Sequence, residues 1–105
     1  LPAVSPGWDS SARRLDREPG WKVPAQSIGF REVIVVNETP AAFKAYVQGA
    51  LAYLNGNPAV PPILTIQCWN EWTEGSYLEP DTVTGLKYLQ AVRDVFGDKA
   101  APPGR

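Results

Sequence analysis

The stretch from residue 61 to residue 80 constrains the fold most, because a buried strand there runs directly into a loop of polar and aromatic side chains. Residues 61–68 open on prolines and carry β-branched side chains, which predicts a short strand. The loop that follows holds three carboxylates, three aromatic residues, an Asn and a Gly. In α/β enzymes the loop at the carboxyl end of a strand carries the chemistry. The stretch therefore predicts an α/β fold with a functional loop after this strand.

Two of the loop carboxylates, Glu71 and Glu74, lie beside Trp69 and Trp72 in the sequence, and the loop contains no Lys, Arg or His. Indole rings packed against a carboxyl group would desolvate it and raise its pKa, which suits a general acid. The alternative is a structural loop, since Trp commonly fills cores and Glu is commonly solvated. We favour a functional site, because carboxylates with perturbed pKa values cluster at such sites.

The alternation along the predicted strand separates two faces. Residues 64, 66 and 68 share an apolar face suited to packing under helices, and residues 63, 65, 67 and 69 share the other. Continued extension places Glu71 on this second face. Glu74 reaches the same side only if the chain turns at Trp72 and Thr73, which Gly75 permits.

Two helices are predicted on either side of this strand. The first spans residues 40–54, with Thr39 as N-cap, Pro40 at the first helical position and Gly56 in a left-handed conformation beyond its end. It carries no candidate catalytic group and is expected to be scaffold. The second spans residues 82–96, with Asp81 as N-cap and Gly97 beyond its end.

The remaining segments give weaker signals. Residues 30–36 are β-prone and predict a short extended segment, whereas residues 12–28 are polar, broken by Pro and Gly, and predict a long loop. Arg13 and Arg14 in that loop could reach a substrate or be solvated, and Trp21 could cap the active-site cleft or cover the underside of the loop. Glu79 precedes Pro80, which restricts it to extended geometry. It could bind substrate or brace the loop, and we favour bracing.

The ordered motif of the loop and the second helix closely resembles the last barrel strand and helix of the glycoside hydrolase family 99-like proteins. These are also called WbsX-like and occur among bacterial polysaccharide genes. The resemblance rests on residues 69–75 (WNEWTEG), 78–81 (LEPD), 85 and 88–89. Residues 6–9 (PGWD), followed by two arginines, resemble the preceding strand end of that family.

The resemblance implies a (β/α)8 TIM-type barrel, of which this chain would supply the last two βα units. Such barrels take about 200 residues or more, so a chain of 105 residues is expected to be a fragment. Residues 1–97 would form the carboxyl-terminal quarter and residues 98–105 a flexible tail. The expected partners are the remainder of the barrel and an oligo- or polysaccharide substrate.

The resemblance also implies a hydrolase that cleaves an α-linked glycan, with an α-mannoside as a candidate, without metal or cofactor. Glu71 would help the sugar's own 2-hydroxyl attack the anomeric carbon, and Glu74 would protonate the leaving oxygen and later activate water. The expected substrate-binding residues are Trp8, Asp9, Trp69, Asn70, Trp72 and Tyr77. For Trp8 and Asp9 the alternative is a packed indole beside a turn-forming Asp.

Two other functions stay open: a non-catalytic sugar-binding or scaffold remnant, and a glycosyltransferase role in polysaccharide assembly. Composition excludes further classes. The net charge is −1, the sequence has no basic cluster that predicts nucleic-acid binding, and no apolar run approaches the ~20 residues of a membrane helix. We find no signal peptide, and the compartment stays open. The sequence contains no His and one Cys, which removes Ser-His-Asp triads, His-based metal sites and an internal disulfide.

Overall fold

The computed structural model describes residues 1–9, 35 and 38–97. The predicted loop 12–28, the tail 98–105 and all but Val35 of the extended segment 30–36 lie outside the described residues. The elements in chain order are β1 (Ala3–Val4), α1 (Pro40–Gly56), β2 (Thr65–Ile66), β3 (Asn70–Glu71), a 3-10 turn (Trp72–Glu74), β4 (Ser76–Tyr77) and α2 (Lys87–Phe96). Within these ranges no helix is both long enough and apolar enough to cross a membrane.

The start of α1 follows the predicted capping chemistry. Thr39 has extended backbone angles, and its side chain accepts a hydrogen bond from the Ala42 N–H at 3.1 Å, with Pro40 as the first helical residue. The predicted end is wrong, because Gly56 is the last helical residue and does not adopt a left-handed conformation. Asn57 closes the helix instead, since its Nδ2 donates to the Tyr53 carbonyl at 2.7 Å.

β1 and β2 pair in parallel, with Ala3 opposite Thr65 and Val4 opposite Ile66. α1 lies between them in the sequence, as a parallel pair requires of its connection. The predicted alternation is confirmed: residues 63, 65, 67 and 69 are exposed, and residues 64, 66 and 68 are partly buried. The peptide bond that joins Gln67 to Cys68 is cis. One face of β2 therefore packs inward while the other is open.

The core forms where α1, α2 and β1 meet. Val4, Phe43, Val47 and Tyr88 are buried together with Ala91, and Leu64, Ile66, Leu78, Val92 and Val95 pack around them. The rings of Phe43 and Tyr88 lie 5.6 Å apart at 59°, a tilted geometry favoured by aromatic pairs. This packing fixes β1 and β2 in position relative to α1 and α2.

α2 begins at Lys87, so the predicted start at residue 82 is wrong. Asp81 stabilises a turn instead of capping the helix: its side-chain oxygens accept hydrogen bonds from the N–H groups of Val83 and Thr84 and from the Thr84 hydroxyl. Gly85, with φ 59°, reverses the chain and donates its N–H to the Asp81 carbonyl at 2.9 Å. Val83, which lies within the range predicted to be helical, is consequently 86% exposed. The predicted end at Gly97 is confirmed.

Candidate functional site

The motif that dominates the sequence forms a small hairpin directly after β2. β3 and β4 pair antiparallel, with Asn70 opposite Tyr77 and Glu71 opposite Ser76, and the 3-10 turn connects them. Gly75 ends the turn in a left-handed conformation, φ 59° and ψ 19°, and donates its N–H to the Trp72 carbonyl at 3.1 Å. The chain therefore turns at Trp72 and Thr73, which is the condition that the sequence sets for Glu74 to reach the side of Glu71.

The two candidate catalytic carboxylates lie on this turn. Glu71 is the residue before it and is exposed, and Glu74 is its last residue and is partly buried. The expectation that indole rings enclose Glu71 is wrong, because Trp69 and Trp72 are themselves 52% and 45% exposed. The ring of Trp72 packs on Tyr77. The two carboxylates therefore differ in solvent contact.

Trp72 and Tyr77 form an aromatic platform, a name we keep for this pair. Their ring centroids lie 3.8 Å apart at 21°, a stacked arrangement across the hairpin. The Trp72 indole N–H donates to Glu79 Oε2 at 2.7 Å, which is the bracing role predicted for Glu79. A stacked and hydrogen-bonded indole has few rotamers, so the platform can meet a ligand without being ordered first.

Trp69 and Asn70 contribute differently. The Trp69 carbonyl accepts from the N–H groups of Leu78 at 2.9 Å and Glu79 at 3.1 Å, so its backbone closes the hairpin. Its ring is half exposed, and Asn70 is also exposed. Both side chains are accessible to a ligand, and neither belongs to the stacked platform.

The second predicted segment, at the carboxyl end of β1, meets the hairpin. The Asp9 N–H donates to the Glu74 carbonyl at 2.6 Å, and the nearest atoms of Asp9 lie 3.4 Å from where a Cβ on Gly75 would be. The Trp8 N–H donates to Glu38 Oε1 at 2.9 Å, and the Trp8 carbonyl accepts from the Val35 N–H at 2.9 Å. The parallel pairing of β1 and β2 thus brings the two motifs together.

A group of small polar residues supports the hairpin from below. Ser76 is fully buried, and its hydroxyl lies 2.9 Å from the Ser5 hydroxyl. Ser5 Oγ donates to the Gly7 carbonyl at 2.6 Å, and Cys68 Sγ donates to the Ser76 carbonyl at 2.9 Å. Buried polar atoms with satisfied hydrogen bonds fix a local geometry, so this group holds the hairpin against β1.

A pocket of about 180 Å³ opens between the two motifs. It is lined by Pro6, Asp9, Glu38, Gly75, Tyr77 and Tyr88. Burial raises the pKa of the Tyr77 hydroxyl, and the charge and hydrogen bond of Asp81 and the charge of Glu38 raise it further. Burial, followed by the charge of Glu38, raises the pKa of Tyr88 as well. Both phenols therefore hold their protons at neutral pH and can donate hydrogen bonds.

Glu38, like Tyr88, lines this pocket without having been predicted as a functional residue. It lies 30 residues from Trp8, to which it is hydrogen bonded, so no local motif joins the two. The usable signal was Gly7, where a Cβ would overlap the Glu38 carboxylate, approaching Oε1 to 2.8 Å. A glycine directly before two candidate site residues indicates that some group approaches the backbone closely there.

Comparison with known proteins adds a family to this geometry. The sequence profile of a family described as Glycosyltransferase WbsX matches residues 1–92. Two proteins, each named Uncharacterized protein WxcX, from the B100 and ATCC 33913 strains of Xanthomonas campestris pv. campestris, are 29% identical to the chain over 96 residues. The match covers 90% of this chain and 12% of each relative. No solved structure matches the chain.

Proposed function

We propose that this chain, which belongs to the WbsX glycosyltransferase family, forms the catalytic end of a carbohydrate-active enzyme that cleaves an α-linked glycan. The description of the family as glycosyltransferases supports a role that involves glycans. The observation that carries this proposal is the position of Glu71 and Glu74 at the two ends of one short turn, beside the aromatic platform, whose Trp72 is 45% exposed. Carboxylate pairs and sugar-stacking rings are what glycoside cleavage requires.

The proposed chemistry divides the work between the two carboxylates. Glu71 accepts the proton of the sugar's 2-hydroxyl as that oxygen bonds to the anomeric carbon, and Glu74 gives its proton to the leaving oxygen. Water then adds at the anomeric carbon, with Glu74 taking its proton, while the bond to the 2-oxygen breaks and that oxygen regains a proton from Glu71. The partly buried Glu74 and the exposed Glu71 are in different environments, which suits two carboxylates with different roles.

The remaining side chains supply the binding surface in this proposal. The aromatic platform and Trp69 present apolar ring faces to a sugar, and Asp9 and Asn70 offer hydrogen-bonding groups to its hydroxyls. The expected substrate is an oligo- or polysaccharide, with an α-mannoside as the first candidate.

The proposal includes a (β/α)8 barrel. β1, α1 and β2 supply a parallel strand pair connected through a helix, which is the repeating unit of that fold. The exposed face of the extended segment around β2, with Ile63 before the strand and Trp69 after it each about half exposed, would be the lumen side of the barrel. The hairpin then lies at the carboxyl end of the strands, where barrel enzymes place their active sites.

The proposal is tested in the protein at its full natural length with Glu74→Gln. An amide cannot protonate a leaving oxygen, so cleavage of an α-linked mannose disaccharide should fall by about 10²–10⁴-fold. A nitrophenyl α-mannoside, whose leaving group needs no proton, should keep its first step. Asp94→Asn, the same chemical change on the far side of α2 and paired there with Lys44, should leave both rates unchanged. Equal losses on both substrates would remove Glu74 as the acid.

A second candidate, glycosyl transfer, is favoured by the description of the family as glycosyltransferases. The two reactions differ in the acceptor, which is water in one and a sugar hydroxyl in the other. Incubation with a glycan alone and with a glycan plus nucleotide-sugar donors separates them. New reducing ends support the hydrolase, and an elongated glycan formed only with a donor supports the transferase. Glycan binding without either product would indicate a non-catalytic sugar-binding protein.

A further inference from the structure

Glu38 occupies an unusual position between the helix α1 and the end of β1. It directly precedes Thr39, the N-cap of α1, and its Oε1 accepts the Trp8 N–H at 2.9 Å. The carboxylate lies so close to Gly7 that any Cβ there would overlap it. A charged acceptor on a backbone N–H makes a stronger hydrogen bond than a neutral one. Glu38 thus fastens the start of α1 to the segment that follows β1.

The same segment is fastened on its other side to the hairpin. Trp8 donates to Glu38, and the next residue, Asp9, donates its N–H to the Glu74 carbonyl at 2.6 Å. The N–H groups of two consecutive residues, Trp8 and Asp9, therefore connect the Glu38 side chain to the Glu74 carbonyl. These two hydrogen bonds hold the backbone of Glu74 in place. Displacement of the Trp8 amide would move the Asp9 amide, and with it the carboxylate proposed as the acid.

We infer that Glu38 is a positioning residue, which holds Glu74 in its catalytic geometry through the backbone of Trp8 and Asp9. This inference rests on the proposed function. Glu38 acts as a hydrogen-bond acceptor, and its task needs an oxygen at the Oε1 position rather than a proton to transfer. Such supporting contacts matter because a displacement of about 1 Å at a catalytic group can lower a rate by about 10²-fold.

Kinetics on two substrates separate positioning from general stability. In the full-length protein, Glu38→Ala should lower kcat on an α-linked mannose disaccharide by about tenfold to 100-fold, with KM changed less than about threefold. The first step on a nitrophenyl α-mannoside, followed as release of nitrophenol in a single turnover, should fall much less, because Glu74 is not needed as an acid in that step. Glu38→Gln should restore most of the rate, since its amide oxygen can accept the Trp8 N–H. An equal loss on both substrates, or no rescue by Gln, would overturn the inference.

Gly7→Ala perturbs the same link from the opposite side. Its Cβ should displace the Glu38 carboxylate and lower the disaccharide rate as Glu38→Ala does. In the double variant the overlap no longer exists, because the carboxylate is absent. The double variant should therefore be no slower than Glu38→Ala alone. Losses that multiply would show that the two residues act independently and would overturn the link.

A readout that needs no activity separates this inference from the proposed function. Hydrogen exchange of the Trp8 and Asp9 amides should be at least about tenfold faster in Glu38→Ala than in wild type, and close to wild type in Glu38→Gln. Asp94→Ala, which removes a carboxylate paired with Lys44, is the matched control and should leave both amides unchanged. Inactivity of the wild type with faster exchange in Glu38→Ala would refute the proposed function and retain the link. Unchanged exchange would refute the link itself.

Discussion

Gly75 and Gly85 offer a matched pair of substitutions that tests the geometry of the hairpin turn. Both glycines have φ 59°, a conformation that side chains with a Cβ rarely adopt. They differ in surroundings: a Cβ on Gly85 meets nothing within 4 Å, and a Cβ on Gly75 meets Asp9 Cβ and N at 3.4 Å. Gly75→Ala and Gly85→Ala therefore share the cost of holding an Ala in the left-handed conformation. They differ in one contact, that of the new Cβ with Asp9, which only Gly75→Ala makes.

The expected magnitude follows from those two numbers. Holding an Ala in the left-handed region costs about 1–2 kcal/mol, and this applies equally to both positions. A separation of 3.4 Å is ordinary van der Waals contact, so Gly75→Ala should avoid the further ~1–3 kcal/mol of overpacking. Both variants should lose about 1–2 kcal/mol, and an Asn at either position should lose less because Asn tolerates this conformation.

Urea denaturation of the full-length variants measures the loss, and glycan cleavage measures its consequence. Only Gly75→Ala should also lower activity, because Gly75 adjoins Glu74 and touches Asp9. Gly49→Ala is the internal standard: it lies inside α1 with nothing within 4 Å of the added Cβ, and should stabilise by about 0.5–1 kcal/mol. A Gly85→Ala variant as stable as wild type, or a Gly75→Ala loss above about 4 kcal/mol, would refute the reasoning.

Three further outcomes follow from individual residues. Glu71→Gln should lower kcat strongly with KM nearly unchanged, and wild type should fail on a 2-deoxy sugar; normal turnover of that sugar would contradict the role of Glu71. Phe43→Ala, at a buried ring packed on Tyr88, should destabilise by about 3–5 kcal/mol in urea denaturation, and a loss under about 1 kcal/mol would contradict the core assignment. Hydrogen bonds from the Thr84 N–H and hydroxyl lower the pKa of Asp81 from 3.8 to about 2, so the stability this turn gains from the charged form is present above pH 3.8. That gain should be lost as pH falls through about 2. The loss should appear as faster exchange of the Val83 amide hydrogen, after correction for the intrinsic exchange rates. Equal protection of this amide above pH 3.8 and at about pH 2 would contradict the prediction.

Local signals along the chain predicted what depends on neighbouring residues. Thr39 and Pro40 start α1 because an N-cap oxygen and a fixed φ act within one turn of helix. The alternation from Ile63 to Trp69 correctly separated exposed from partly buried positions, since strand geometry alone fixes it. The turn before Gly75 was likewise readable, because the glycine supplies a conformation that few other residues tolerate.

The failures occurred where two local solutions compete or where partners are distant. Asp81 can cap a helix or close a turn, and Gly85 favours the turn, so the predicted first turn of α2 was lost. The predicted desolvation of Glu71 by indole rings is wrong, because the ring of Trp72 stacks on Tyr77 across the hairpin. The order of residues in the sequence does not specify that pairing. Glu38 was missed because its partner lies 30 residues away. The roles of the two hairpin carboxylates rest on resemblance and stay predictions.

The pair of buried hydroxyls beneath the hairpin has a direction that follows from counting protons. Ser5 Oγ has one proton and gives it to the Gly7 carbonyl at 2.6 Å, so the proton in the 2.9 Å contact with Ser76 must come from Ser76. Ser5 Oγ also accepts the Gly7 N–H at 3.3 Å, which fills its second lone pair. The two serines are therefore not interchangeable: loss of the Ser5 hydroxyl leaves a donor on the fully buried Ser76 without an acceptor, whereas loss of the Ser76 hydroxyl leaves only one lone pair of Ser5 unused.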